Sequence, residues 1–279
     1  MQIVQLLRRP AVLVLSLALM MQAVVAQAAD RDKIIAFMQV TGFDVALDSL
    51  RLSAGSAPAM LGLEENDFGA DWTLLADEVF EESQMRADAV DILARTLSDE
   101  ALAFAAEFYA SPLGQRLVEA ENASHMMDDA IKEAEGQEVA AQLMLEESPR
   151  LEIFEAMGEA IGSQEDSIKR ITEIQVRFIM SAQAAGLVDG QMSEEDLRGA
   201  ILSQAEEIKM SMRLNALTGN AYTYRDFSDA DMQAYLDALR DPLMQEVYEL
   251  MSAVQFTIQV DRFEILAAKM IELHPSQEL

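Results

Sequence analysis

Apolar residues recur along most of this chain at spacings of three and four, the period that turns one helical face toward a core. No stretch alternates apolar and polar positions long enough to build a sheet. The clearest stripe begins at Pro242, with Leu243, Val247, Leu250, Met251, Val254 and Ile258, and predicts a helix to about Ile271, a rod of roughly 45 Å. Helix formers dominate while Val, Thr and aromatic residues are sparse, so the pattern predicts an all-α helical bundle.

Start signals punctuate the pattern. Ser111-Pro112, Ser148-Pro149 and Asp241-Pro242 each place a capping side chain before a proline at the first helical position. Ser193 with Asp196 and Ser228 with Asp231 resemble capping boxes in which Asp replaces the usual Glu. Breaks are expected at Ser53–Gly69, Glu146–Arg150, Ala185–Met192 and Leu217–Phe227, each rich in Gly, Pro, Asn or Asp.

A search for internal similarity pairs Leu97-Ser98-Asp99-Glu100-Ala101-Leu102 with Phe227-Ser228-Asp229-Ala230-Asp231-Met232. At the same offset Ser111-Pro112-Leu113-Gly114-Gln115 pairs with Asp241-Pro242-Leu243-Met244-Gln245. The apolar face keeps register too, since Leu102, Ala105, Ala106 and Tyr109 correspond to Met232, Tyr235, Leu236 and Leu239. Weaker matches join Met85-Arg86 to Met212-Arg213 and Ile35–Met38 to Phe154–Met157. The expectation is two related helical units, residues 30–146 and 147–273, followed by a tail at 274–279. In that reading Leu113 and Leu243 are buried, and a charge at either destabilises.

The first 29 residues carry no acidic side chain and run from Arg8-Arg9 through the apolar stretch Ala11–Ala26 to Ala26-Gln27-Ala28, the layout of a secretory signal peptide. Cleavage is expected after Ala28, with Ala29 as an alternative, which makes 1–28 the leader and places the mature chain in the periplasm without a transmembrane anchor.

Charge narrows the partners. The full chain has 20 basic and 49 acidic residues, a formal charge of −29, and loss of Arg8 and Arg9 makes it two units more negative. Nucleic acid is excluded as a partner because no basic cluster is available to displace phosphate counterions. The chain has no cysteine, so in an oxidising compartment packing alone must hold it.

The stretch Asp91–Asn122, in which Leu97-Ser98-Asp99-Glu100 leads to Phe108-Tyr109-Ala110-Ser111-Pro112-Leu113-Gly114-Gln115, resembles the signature of the bacterial DUF2059 proteins. In that family an aromatic pair precedes Ser/Thr-Pro-x-Gly between two helices. Ile34–Leu52, with Thr41-Gly42, is similar to the family's first helix. The second unit diverges, since Ala238-Leu239 replaces the aromatic pair and Met244 the glycine. The resemblance implies an exported helical protein and supplies no catalytic residue.

Candidate chemistry is thin. His125 and His274 are the only histidines, and no serine sits in a G-x-S-x-G elbow. His125-Met126-Met127 with Met210 and Met212 invites a Cu(I) reading, but helical neighbours point about 100° apart, and methionine on apolar stripes reads as core. Glu64-Glu65-Asn66-Asp67, Asp128-Asp129 and Asp189-Gly190 lack the alternating oxygen ligands of a calcium loop, so no metal and no cofactor is expected. Phe104, Phe108, Tyr109 and Pro112 are the candidate lining of a groove for a protein partner or an apolar ligand, against the alternative that they form the seam between the units. Trp72 and Phe68 fit a hydrophobic staple as well as a ligand contact.

Function therefore reads as a non-catalytic binding or assembly module of the cell envelope, with no catalytic residue named. A carboxylate-based envelope hydrolase and a holdase-like chaperone stand as alternatives.

Overall fold

The computed structural model describes residues 31–62, 70–188, 192–270 and 273, and every regular element among them is helical. Residues 1–28, expected to be a leader, and Glu64–Asp67, Phe68, Asp189-Gly190 and His274 lie outside these described residues.

The chain opens with α1 over 31–41 and turns at Gly42, whose φ of +73° favours glycine. A Cβ there would also meet Asn122 Oδ1 at 2.5 Å, so the Asn122 side chain would have to move. Then come α2 (Phe43–Asp48), a 3₁₀ stretch (Ser49–Ser56), α3 (Ala57–Met60), α4 (Ala70–Val79) and α5 (Glu82–Thr96). The middle of the chain holds α6 (Asp99–Ala110), α7 (Pro112–His125), α8 (Asp129–Leu145) and α9 (Arg150–Ile161). It ends with α10 (Gln164–Ala184), α11 (Glu194–Leu202), α12 (Ala205–Thr223), α13 (Asp229–Leu239) and α14 (Pro242–Met270).

Capping explains most of the starts. Ser98, Ser111, Ser163 and Ser193 each accept a backbone N–H of the first turn that has no partner within its helix. Ser228 and Asp231 complete a reciprocal capping box. Asp241 Oδ1 accepts the Leu243 N–H at 2.9 Å, and Ser148 Oγ accepts that of Arg150 at 3.3 Å.

Two expected breaks are corrected: Ser53–Gly69 begins inside the 3₁₀ stretch and includes α3, so its described residues are helical through Met60. The segment Leu217–Phe227 is helical through Thr223, with only residues 224–228 outside a helix. Gly219 and Asn220 stay helical because Thr218, Ala221 and Tyr222 around them are buried, and tertiary packing overrides a weak local preference.

α14 is the spine. Its first turns lie against α6 and α9, where Gln245 donates to the Ala160 carbonyl. Its later turns lie against α4, α5 and α10, where Phe263 meets Phe80 and Phe178 edge to face at 5.7 and 5.5 Å. Arg262 pairs there with Asp88, and Lys269 with Glu78. The fully buried side chains of both chain halves, Phe37, Trp72, Met85 and Leu117 with Phe178, Met232, Tyr235 and Leu239, belong to a single apolar core.

α8 lies along α12, whereas the later part of α14 lies along α5. α2 touches α5 and α7, and α9 touches α12 and α14.

Two close approaches depend on glycine. A Cβ on Gly114 would stand 2.3 Å from the Phe108 carbonyl oxygen, so the α6–α7 corner closes only without one. In α14, Met244, which the sequence comparison pairs with Gly114, is fully buried. There the joint is longer, through Arg240 and Asp241 rather than Ser111 alone, and α13 touches α14 less than α6 touches α7. A Cβ on Gly136 of α8 would stand 2.2 Å from the Thr218 carbonyl oxygen of α12. Leu113 and Leu243 are only half-buried, because Gly114 and Leu117, and Met244 and Val247, take the inward positions. A charge at either leucine therefore keeps access to water and costs less than full burial would demand.

Candidate functional site

Five polar side chains from five places in the chain meet inside this apolar core. Tyr109 ends α6, Glu121 sits on α7, Tyr224 closes α12, Tyr235 belongs to α13 and Tyr248 to α14. Small residues make the space: Ala101 and Ala105, fully buried on the stripe of Tyr109, let α6 pack against α14.

Tyr109 Oη lies 2.6 Å from Tyr248 Oη, which lies 2.7 Å from Tyr235 Oη. Tyr235 and Tyr224 both donate to Glu121 Oε1, at 2.9 and 2.7 Å. Each phenol has one proton to give. With the proton of Tyr235 committed to Glu121, the order Tyr109 to Tyr248 to Tyr235 to Glu121 uses every proton once and leaves no donor unsatisfied. The 3.1 Å contact between Tyr109 and Tyr235 closes the triangle. Phe108 stacks on Tyr235 with centroids 5.9 Å apart, while Phe154 and Phe227 flank Tyr224 at 6.0 and 5.8 Å.

Burial sets the electrostatics. It raises the Glu121 carboxyl above the usual carboxylate range, opposed by the two phenols that donate to it. Glu121 as a residue is half-buried, yet its accepting oxygen meets the hydroxyls of two buried tyrosines. Burial also raises Tyr224, Tyr235 and Tyr248 above the ordinary phenol value, with the nearby Glu121 charge acting in the same direction. Tyr109 is raised by burial first, then by Tyr248 and Glu121.

Outside this cage, α7 and the end of α12 border an open cavity of about 290 Å³, with Arg116, Glu119, Ala123, Arg225 and Asp226 exposed at its rim. Ala120 and Ala123 flank the Glu121 turn, and Thr223 and Arg225 flank Tyr224, so the wall that holds the cage also lines the cavity. Thr223 Oγ1 bonds Ser124 Oγ at 2.8 Å across the two helices. Arg116 lies over the Phe227 ring, Cζ to centroid 4.6 Å, and Arg225 over Tyr222 at 4.2 Å. Glu119 and Asp226 add two carboxylates to the lining.

The four residues read as groove or seam candidates lie along α6 and at the start of α7. Tyr109 is in the cage, Phe108 packs against it, Phe104 is half-buried against the core, and Pro112 is exposed at the start of α7. None of the four lines the cavity. Among the described residues no group of three or more His, Cys, Asp or Glu is placed to hold a metal, and His125 is exposed at the end of α7. Met126 and Met210 are exposed, and Asp128 caps α8 by accepting the N–H groups of Ala130 and Ile131. Trp72 is a core residue.

Sequence reasoning missed Glu121, Tyr224 and Tyr248. Their contacts span 103 to 139 residues, except for Tyr235 with Tyr248, 13 apart on successive helices. The internal similarity pairs Tyr109 with Leu239, so it carries no trace of the cage.

The architecture is that of an all-helical protein in which no helix of the described residues is long and apolar enough to cross a membrane. Residues 83–142, which hold α5 to α7 and most of α8, match the family described as "Uncharacterized protein conserved in bacteria (DUF2059)", so the chain contains one DUF2059 domain there. No curated protein and no solved structure matches the chain.

Proposed function

We propose that this chain is an exported, non-catalytic binding module of the cell envelope, built from two related helical units that hold a recognition cavity at their seam. Export rests on the leader layout of residues 1–28 and places the mature protein in the periplasm. The relation between the units is supported by caps and prolines at the starts of α6, α7, α13 and α14. It is supported also by the exchange in which α8 packs on α12 and the later part of α14 packs on α5.

The observation that carries the binding reading is the cavity between α7 and α12. It gathers guanidinium groups, aromatic faces and carboxylates, which are groups of recognition. The buried carboxyl next to it, Glu121, has its accepting oxygen occupied by two phenols, an arrangement that rigidifies a seam rather than one poised to move protons to a substrate.

The test is native mass spectrometry of the mature protein taken from the periplasm, beside an Ala123→Trp variant that fills the cavity from an exposed position. A stoichiometric bound component present on the wild type and lost from the variant is expected. A wild type that carries nothing, or a component that the variant retains, refutes the assignment of the cavity.

A further inference from the structure

We infer that the α7–α12 cavity takes a small zwitterion of the α-amino acid class, free or as the exposed end of a short peptide. The proposal rests on the reading of the chain as a binding module.

Size sets the first limit. At about 290 Å³ the cavity is at the lower edge of the roughly 300 to 1,000 Å³ usual for small-molecule sites, a size that suits an amino acid.

The two arginines set the second. Elsewhere in the chain Arg150, Arg177 and Arg198 hold carboxylates at 2.7 to 2.9 Å. Arg116 and Arg225 have looser pairs, at 3.5 Å to Asp231 and 3.9 Å to Asp226. Each guanidinium lies over an aromatic ring, and Arg225 is fixed further by an Nη1 bond to the Tyr222 carbonyl at 2.7 Å. A guanidinium has five N–H donors in one plane. The ring occupies one face of each guanidinium, and the edge donors not engaged by Asp231 or by the Tyr222 carbonyl can match a carboxylate two bonds at a time.

The carboxylates decide between an anion and a zwitterion. Glu119 and Asp226 share the lining with the two arginines, so its side-chain charges balance. A plain anion would meet these carboxylates at close range and a chain charge of −29 at long range. A zwitterion has no net charge to be repelled. Its carboxylate is served by Arg116 and Arg225, its ammonium by Glu119 and Asp226, and its side chain by Ala120, Ala123 and the Phe227 ring.

The experiment is calorimetric titration of the mature full chain with L-leucine and L-phenylalanine, against N-acetyl-leucine, which lacks the cation, and leucinamide, which lacks the anion. Saturable 1:1 binding of at least one free amino acid is expected, with both half-ligands weaker by about ten-fold or more. Arg116→Gln and Arg225→Gln, confirmed as folded by circular dichroism, should each weaken binding by a similar factor, and Ala123→Trp should abolish it while keeping both charges. N-acetyl-leucine bound as well as leucine would overturn the proposal in favour of a simple anion site. No saturation by either amino acid up to about 20 mM would overturn it outright. If that failure accompanies a stoichiometric macromolecule that Ala123→Trp excludes, the ligand class is wrong and the binding module stands. If it accompanies nothing bound at all, both fall.

Discussion

Raising the pH should unfold this protein from its centre. Tyr109, Tyr224, Tyr235 and Tyr248 all have pKa values raised by burial beside one another and beside Glu121. A phenol whose folded pKa exceeds its unfolded value keeps a proton that the unfolded chain has released. Its contribution to stability is intact below the unfolded value, near pH 10, and is lost as the pH rises above it. Each such group forfeits ~1.4 kcal/mol by pH 11 and ~2.7 kcal/mol by pH 12. Four together forfeit ~6 and then ~11 kcal/mol, against a whole-domain stability of roughly 5 to 15 kcal/mol. Cooperative loss of helix is therefore expected between about pH 11 and pH 12. The assay is parallel titration of tyrosinate absorbance near 295 nm and far-UV circular dichroism, in which the four phenols should ionise with the helix loss and not before it. Tyr109→Phe removes the phenol at the donating end of the chain, leaves the other protons placed, and should reduce the slope above pH 10 by about a quarter. Ionisation of all four near pH 10 with the helical signal unchanged would refute the buried cage.

Three further outcomes follow from the packing. Glu121→Gln retains an acceptor for the two phenols but removes a carboxyl whose folded pKa is raised; that carboxyl costs stability as pH climbs through its folded value. The melting temperature of the variant should therefore gain on the wild type from pH 4 to pH 7, and the reverse trend would contradict the assignment. Gly114→Ala forces a methyl against the Phe108 carbonyl and should destabilise by about 3 kcal/mol in urea unfolding, whereas the exposed Gly158 should accept Ala with no loss. Gly136→Ala should cost about 1 to 3 kcal/mol by lifting α8 from α12, visible as faster amide exchange in those two helices; unchanged exchange would mean that the pair is not in contact there.

Helical class, the starts of α7, α9, α11, α13 and α14 and the long terminal rod were legible in the sequence because they rest on local physics. A serine or aspartate cap, a proline at the first helical position and an apolar period of 3.6 act within a few residues, and they placed α7, α13 and α14 where they are observed. The DUF2059 domain was legible for the same reason, since the Ser111-Pro112-Leu113-Gly114 corner is a local device in which Gly114 lets two helix backbones touch. Tertiary structure alone decided that Gly219-Asn220 continue a helix, because buried neighbours outweigh their weak local preference. It decided which face of α7 and α14 turns inward, leaving Leu113 and Leu243 half-covered. It alone assembled the cage and the cavity beside it, because Tyr109, Glu121, Tyr224, Tyr235 and Tyr248 come together through the packing of α6, α7, α12, α13 and α14, and no periodicity along a chain encodes which helices will be neighbours.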